Sequence, residues 1–87
     1  TIENATITTA KTNQANLTII NSTVNSRINN NGNLTINQSI LNNSINNRGT
    51  LIIDDETILG ENLIIGGNGT VIYNDFEKIF LCRCFLC

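Results

Sequence analysis

Apolar and polar residues alternate with a period of two in Leu17-Thr18-Ile19 and Leu34-Thr35-Ile36, and the same frame continues in Leu51-Ile52-Ile53 and Val71-Ile72-Tyr73. In an extended chain the first and third side chains of each stretch point to one side and the middle one to the other. Each stretch is therefore predicted to be a β-strand with one buried face. Before Asp75, no window keeps apolar residues at the i, i+3, i+4, i+7 spacing of a helix over three turns, so no helix is expected in this part.

A second, longer period organises these strands. Ile2, Ile19, Ile36 and Ile53 are 17 residues apart, as are Ile7, Val24, Leu41 and Ile58, and Leu17, Leu34 and Leu51. A fourth column runs Ala15, Gly32, Gly49 and Gly66, and a fifth begins at Ile28 and Ile45 but slips by three at Ile65. That slip predicts a three-residue insertion near Gly60, Glu61 and Asn62, after which Val71 and Tyr73 lie 20 residues beyond Leu51 and Ile53. The unit is an N-L-T-I strand, a polar corner, an S-x-φ strand, a third apolar position and an N-N-x-G corner.

Asn31-Gly32, Arg48-Gly49 and Asn68-Gly69 mark corners where Gly and Asn tolerate positive φ. Asn-Gly between alternating segments also signals a hairpin, so an antiparallel meander competes. A hairpin reverses direction at each turn and gives no reason for every column to repeat at one spacing. A β-solenoid, with each coil lying parallel on the last, does. The expected fold is thus all-β, a parallel β-helix with coils of about 17 residues over residues 1–75, and a cap or tail over residues 76–87.

Stacking also accounts for the asparagines. The pairs Asn16 and Asn33, Asn25 and Asn42, Asn29 and Asn46, and Asn30 and Asn47 are each 17 apart. Amides at strand spacing can donate to one neighbour and accept from the next, forming ladders. Prion-like aggregation, the other reading of Asn-rich sequence, fits poorly with such regular Ile and Leu. A lone coil buries too little to offset its backbone entropy, so coils must stack and the ends need caps. After Asp75 the register breaks, because Lys78 falls where an Ile column would continue. Asp75 could cap a short helix carrying Phe76, Ile79 and Phe80, or the tail could form a last edge strand.

Composition then narrows the function. Of 87 residues, 17 are Asn, 15 Ile and 11 Thr, and His, Pro, Met and Trp are absent. Without His there is no Ser-His or Cys-His dyad, no His-type zinc site and no imidazole base. Five Lys and Arg against seven Asp and Glu give a net charge of −2, which argues against nucleic acid and anionic membrane as partners. The longest apolar run, Ile79 to Cys87, is nine residues interrupted by Arg83, against the roughly 20 that span a bilayer as a helix. Thr1 is not an initiator residue, so a processed or excised chain is expected.

Few residues have the makings of a site. Sequons at Asn4, Asn16, Asn21, Asn33, Asn37, Asn42 and Asn68 suit an exposed secreted solenoid, although Asn/Thr repeats generate them automatically. Asp54, Asp55 and Glu56 form an acidic corner that is solvated, a Ca²⁺ site with oxygen ligands, or a polysaccharide-cleaving pair for which Arg48 is the nearby cation that could handle a uronate or leaving group. Gly66 to Thr70, G-G-N-G-T, matches a calcium-binding nonapeptide poorly. Thr18 and Thr35 begin an outward Thr column that ends at Ile52 and Ile72, too short for an ice-binding array. Cys82, Cys84 and Cys87 lack a fourth zinc ligand. They are an odd thiol set, a C-a-a-X ending beside Cys82, or small apolar groups in a cap. No catalytic, cofactor-binding or metal residue is assigned.

The stretches Asn16 to Val24, Gly32 to Ser44 and Ile45 to Asp54 resemble repeats of secreted right-handed β-helix surface proteins: filamentous-haemagglutinin-like exoproteins, polymorphic outer-membrane proteins and archaeal adhesin-like proteins. The resemblance covers residues 16–74. Val24, Leu41 and Ile58 stand where those repeats often carry Phe, and Gly66-Gly67 only approximates their G-G-A-I element. It implies an extracellular or cell-surface stalk or adhesin, non-catalytic, with host or cell-surface glycans or proteins as partners and end-to-end or edge association between rods. The alternative is a fragment of a pectin-lyase-like, polysaccharide-active β-helix enzyme. The alternation has a direct test. Ile36→Asp should abolish the β signal in circular dichroism, whereas Thr35→Ser should leave it intact; equal effects would refute the assigned inward and outward sides.

Overall fold

The computed structural model describes residues 1–61 and 63–74. Within them the chain winds as a β-solenoid of about four coils, and every strand pairing is parallel. The first coil holds β1 (Ile2–Glu3), β2 (Thr6–Ile7) and β3 (Lys11–Asn13), and the second β4 (Asn16–Ile20), β5 (Thr23–Val24) and β6 (Ile28–Asn30). The third holds β7 (Asn33–Asn37), β8 (Ile40–Leu41) and β9 (Ile45–Asn47), and the fourth β10 (Thr50–Asp54), β11 (Ile58–Leu59) and β12 (Ile65–Gly66). Another strand, β13 (Thr70–Asn74), opens a fifth coil. Sheet A stacks β1-β4-β7-β10-β13, sheet B β2-β5-β8-β11 and sheet C β3-β6-β9-β12. The expected cap or tail, residues 76–87, lies outside the described residues.

The core is the set of inward rows. Ile19, Leu34, Ile36, Leu51 and Ile53 from sheet A meet Ile7, Val24 and Leu41 from sheet B and Ile28 and Ile45 from sheet C, all buried. Ile36 is fully buried while Thr35 is only half-buried, as the period-two alternation predicts. Val71 and Tyr73 pair with Leu51 and Ile53, the 20-residue step read from the sequence.

Two register assignments need correction. Ile58 does not continue the Leu41 column: it pairs with Ile40 and is 59% exposed, and Leu59 pairs with Leu41. Gly66 does not continue the Gly49 column either, because it pairs with Asn46. The extra three residues are therefore split. One enters the corner between Ile53 and Thr57, and two more enter between Leu59 and Ile65. Longer corners absorb insertions at little cost, because only the strands must keep register.

The corner glycines also act differently than predicted. Positive φ falls on Asn4, Asn21 and Gln38 at the sheet A to sheet B corner (54°, 50° and 53°) and on Gly67 (95°), and on neither Gly32 nor Gly49. What Gly32 and Gly49 provide is close approach. A Cβ there would lie 2.1 Å from the Ala15 carbonyl oxygen and 2.0 Å from that of Gly32, and one on Gly69 would lie 2.4 Å from that of Gly49. The glycine column is thus Ala15, Gly32, Gly49 and Gly69.

Beside that column runs a buried amide ladder. Asn30 and Asn47 are 0% and 1% exposed, and Asn13 is buried beneath them. Asn13 Nδ2 donates to Asn30 Oδ1 and Asn30 Nδ2 to Asn47 Oδ1, both at 2.9 Å. Asn30 Nδ2 also donates to the carbonyls of Gly32 and Thr50, while its Oδ1 accepts from the Gly32 N–H. One side chain thereby satisfies backbone groups of its own coil and the next, which makes an amide tolerable inside. At the opposite corner Ser22 and Ser39 do similar work: the Ala5 N–H donates to Ser22 Oγ and the Ser22 N–H to Ser39 Oγ.

Removing the central amide should leave several buried groups without partners. Asn30→Ala is expected to cost about 3 kcal/mol or more in urea unfolding, against under about 1 kcal/mol for the exposed Asn33→Ala.

Candidate ligand-binding face

Three of the four amide pairs read from the sequence bear out. Asn33 Nδ2 donates to Asn16 Oδ1 and Asn42 Nδ2 to Asn25 Oδ1, each at 2.9 Å, beside the buried Asn30 and Asn47. The fourth pair differs. Asn29 and Asn46 are in register across β6 and β9, but their amides do not hydrogen-bond to one another. Both are half-buried on the outer face of sheet C. This outward pair thus keeps amide groups that the Asn16–Asn33 and Asn25–Asn42 pairs spend on each other.

The outer face of sheet C carries two rows. Register places Thr12, Asn29, Asn46 and Gly66 in one. The residues just before the inward row form the other, Ala10, Arg27, Ser44 and Ile64. The carbonyls of Arg27, Ser44 and Ile64 receive inter-coil bonds, from the N–H groups of Lys11, Ile28 and Ile45 in turn. Between the rows lies an open groove of about 250 Å³ lined by Arg27, Ser44, Ile45, Asn46, Ile64 and Gly66. Each element of it has a local cause. Gly66 stands above Asn46 and has open space where a Cβ would be, which cuts a notch in the amide row. The two residues inserted before Ile65 lengthen that corner, and Ile64 there is the most exposed large apolar side chain among the described residues, at 68%. Among the described residues that line the groove, Arg27 is the one that carries a charge.

The acidic corner is arranged for support. The Asp54 carboxylate accepts the Gln38 N–H through both oxygens, at 3.2 and 3.1 Å, and the Thr57 hydroxyl at 2.5 Å. It therefore fixes the corner that takes the extra residue, holding Gln38 in its left-handed conformation. Asp55 and Glu56 are exposed. Arg48 lies before β10 and the acids at or after its end, so five residues at roughly 3.3 Å each separate them. The fold does not bring this cation to these carboxylates. Among the described residues no three His, Cys, Asp or Glu side chains group as a metal site.

Thr18 and Thr35 pair in one outward row that continues through Ile52 to Ile72, as read from the sequence. Cys82, Cys84 and Cys87 lie outside the described residues, and so does Asn62 of the predicted insertion. Reading for chemistry by residue type had singled out the acids and missed Arg27, Asn46 and Gly66. Aligning Ile64-Ile65-Gly66 beneath Ser44-Ile45-Asn46 would have revealed the row in which Arg27 sits.

The chain matches no protein-family model, no curated protein and no solved structure. Among the described residues no helix is long and apolar enough to cross a membrane. Asp54→Ala should lower stability by about 1 to 2 kcal/mol in thermal melts, because a backbone N–H loses its acceptor, while Asp55→Ala should stay within about 0.5 kcal/mol.

Proposed function

We propose that this chain is a structural or adhesive segment of a secreted or cell-surface β-helix protein and carries no catalysis. The observation that supports this reading is where the polar chemistry is used. Interior amides, corner hydroxyls and the Asp54 carboxylate all serve the stacking of one coil on the next. Acid and base chemistry needs groups aimed at a shared reacting atom. Here the acidic corner and Arg48 stand at opposite ends of β10. A stack of parallel strands is instead a stiff spacer with long outward faces, and extended repeat surfaces of this kind suit recognition.

Incubation with polygalacturonate and with neutral glucans distinguishes this from a polysaccharide-active enzyme. The chain should release no new reducing ends or unsaturated products above blank, while glycan-coated beads retain it. Product that scales with protein and disappears in Asp55→Ala/Glu56→Ala would replace the proposal with catalysis.

A further inference from the structure

We infer that the groove on the outer face of sheet C binds a sugar that carries a carboxylate, an inference that rests on the recognition role proposed above and assigns it to one face. Three kinds of group meet there. Arg27 supplies a guanidinium, whose planar fork matches a carboxylate. The Asn46 amide and the Ser44 hydroxyl supply donors and acceptors suited to sugar hydroxyls, and Ile64 supplies an apolar lip against which the C–H face of a ring can lie. The chain as a whole is acidic, so one cation among the described, otherwise neutral lining residues gives this groove a local preference for anions.

Geometry favours a sugar over a peptide. Extended peptides bind by adding a strand to an open edge, where main-chain groups are free. This groove lies on a face, and the backbone of β9 behind it is already bonded to neighbouring coils. What remains are side-chain groups at rungs about 4.8 Å apart. Size points the same way. A volume of about 250 Å³ is below that of a pocket for a drug-sized ligand and far above that of one water, which is room for a single ring.

The row composition shows that stacking of like on like does not fix this face. Ala10, Arg27, Ser44 and Ile64 form a row in which no residue repeats, as do Glu3, Ile20 and Asn37 on sheet A, whereas the buried amide row places like on like. Gly66 interrupts the neighbouring Asn row at the point where the groove needs space.

The test is a titration of the full chain, labelled with ¹⁵N, with glucuronate, using glucose, acetate and a short Asp/Glu peptide as comparisons. Glucuronate should shift the backbone amides of Asn46 and Gly66 saturably at millimolar concentration, and more weakly as salt rises. Arg27→Gln should weaken this at least tenfold. Gly66→Asn should abolish it by filling the notch while keeping a dispersed spectrum, because its Cβ meets no neighbour within 4 Å. Glucose or acetate producing the same shifts at the same concentration would overturn the inference, as would tighter binding of the peptide or unchanged glucuronate binding in Arg27→Gln. Glucuronate binding with polysaccharide cleavage would uphold the groove and remove the non-catalytic reading; no binding and no cleavage would do the reverse.

Discussion

The structure depends on one constraint: each residue must sit on the residue one coil earlier, at the roughly 4.8 Å spacing of hydrogen-bonded strands. At that distance an inward row favours side chains that attract their own kind. Aliphatics do so by packing, as Leu34 on Leu17 and Ile36 on Ile19 show. Amides do so by donating to one neighbour and accepting from the next, as Asn30 does between Asn13 and Asn47. Charges do not, since like charges one rung apart repel. The scarcity of charged residues, 14% of the chain, follows from the stack before any function is considered.

Where the chain turns from sheet C to sheet A, the constraint tightens from side chains to backbone. Gly32 and Gly49 pass so close over the preceding coil that a methyl group would enter a carbonyl oxygen. Ala15 occupies the same column in the first described coil and carries that methyl group. In the same coil Lys11 pairs with Ile28, and so places a charged side chain in the row of buried Ile28 and Ile45. Lys11 and Ala15 are thus the points at which the first described coil departs from the rows stacked on it.

The sequence carried the architecture because stacking writes itself as a period. Four columns at one spacing established parallel coils, and alternation within strands separated Ile36 from Thr35 correctly. What it concealed were departures of one residue. Both Ile58 and Leu59 are aliphatic, so the 17-residue frame could accept Ile58 inward although the structure places it outside. The neighbouring triplets settle the matter: Thr57-Ile58-Leu59 matches Ser39-Ile40-Leu41, with a hydroxyl at the corner that receives the Ser39 N–H. The buried amides were likewise present in the pattern. In Ile28-Asn29-Asn30 the third residue must share the side of the first, so Asn30 points inward; polarity argued for a corner, and hydrogen bonding overruled it. The candidate groove was least legible. It is made by a glycine where the amide row lapses and by an arginine two coils away in sequence, and the three residues inserted before Ile65 bring them to one face.

This distribution suggests where a solenoid can vary at all. Inward rows are held by packing, corner rows by backbone contact and amide rows by reciprocal hydrogen bonds, so a change in any of them disturbs two neighbours at once. Outward rows are freer, yet most here still repeat or change gradually: Thr6, Thr23, Ile40 and Ile58 on sheet B pass from one β-branched residue to another, as Thr18, Thr35, Ile52 and Ile72 do on sheet A. Such substitutions preserve shape and alter only polarity. The row of Ala10, Arg27, Ser44 and Ile64 preserves neither, and nor does that of Glu3, Ile20 and Asn37 on sheet A. Rows that change from rung to rung owe less to stacking, and on sheet C their outward side chains are the ones available to meet something else.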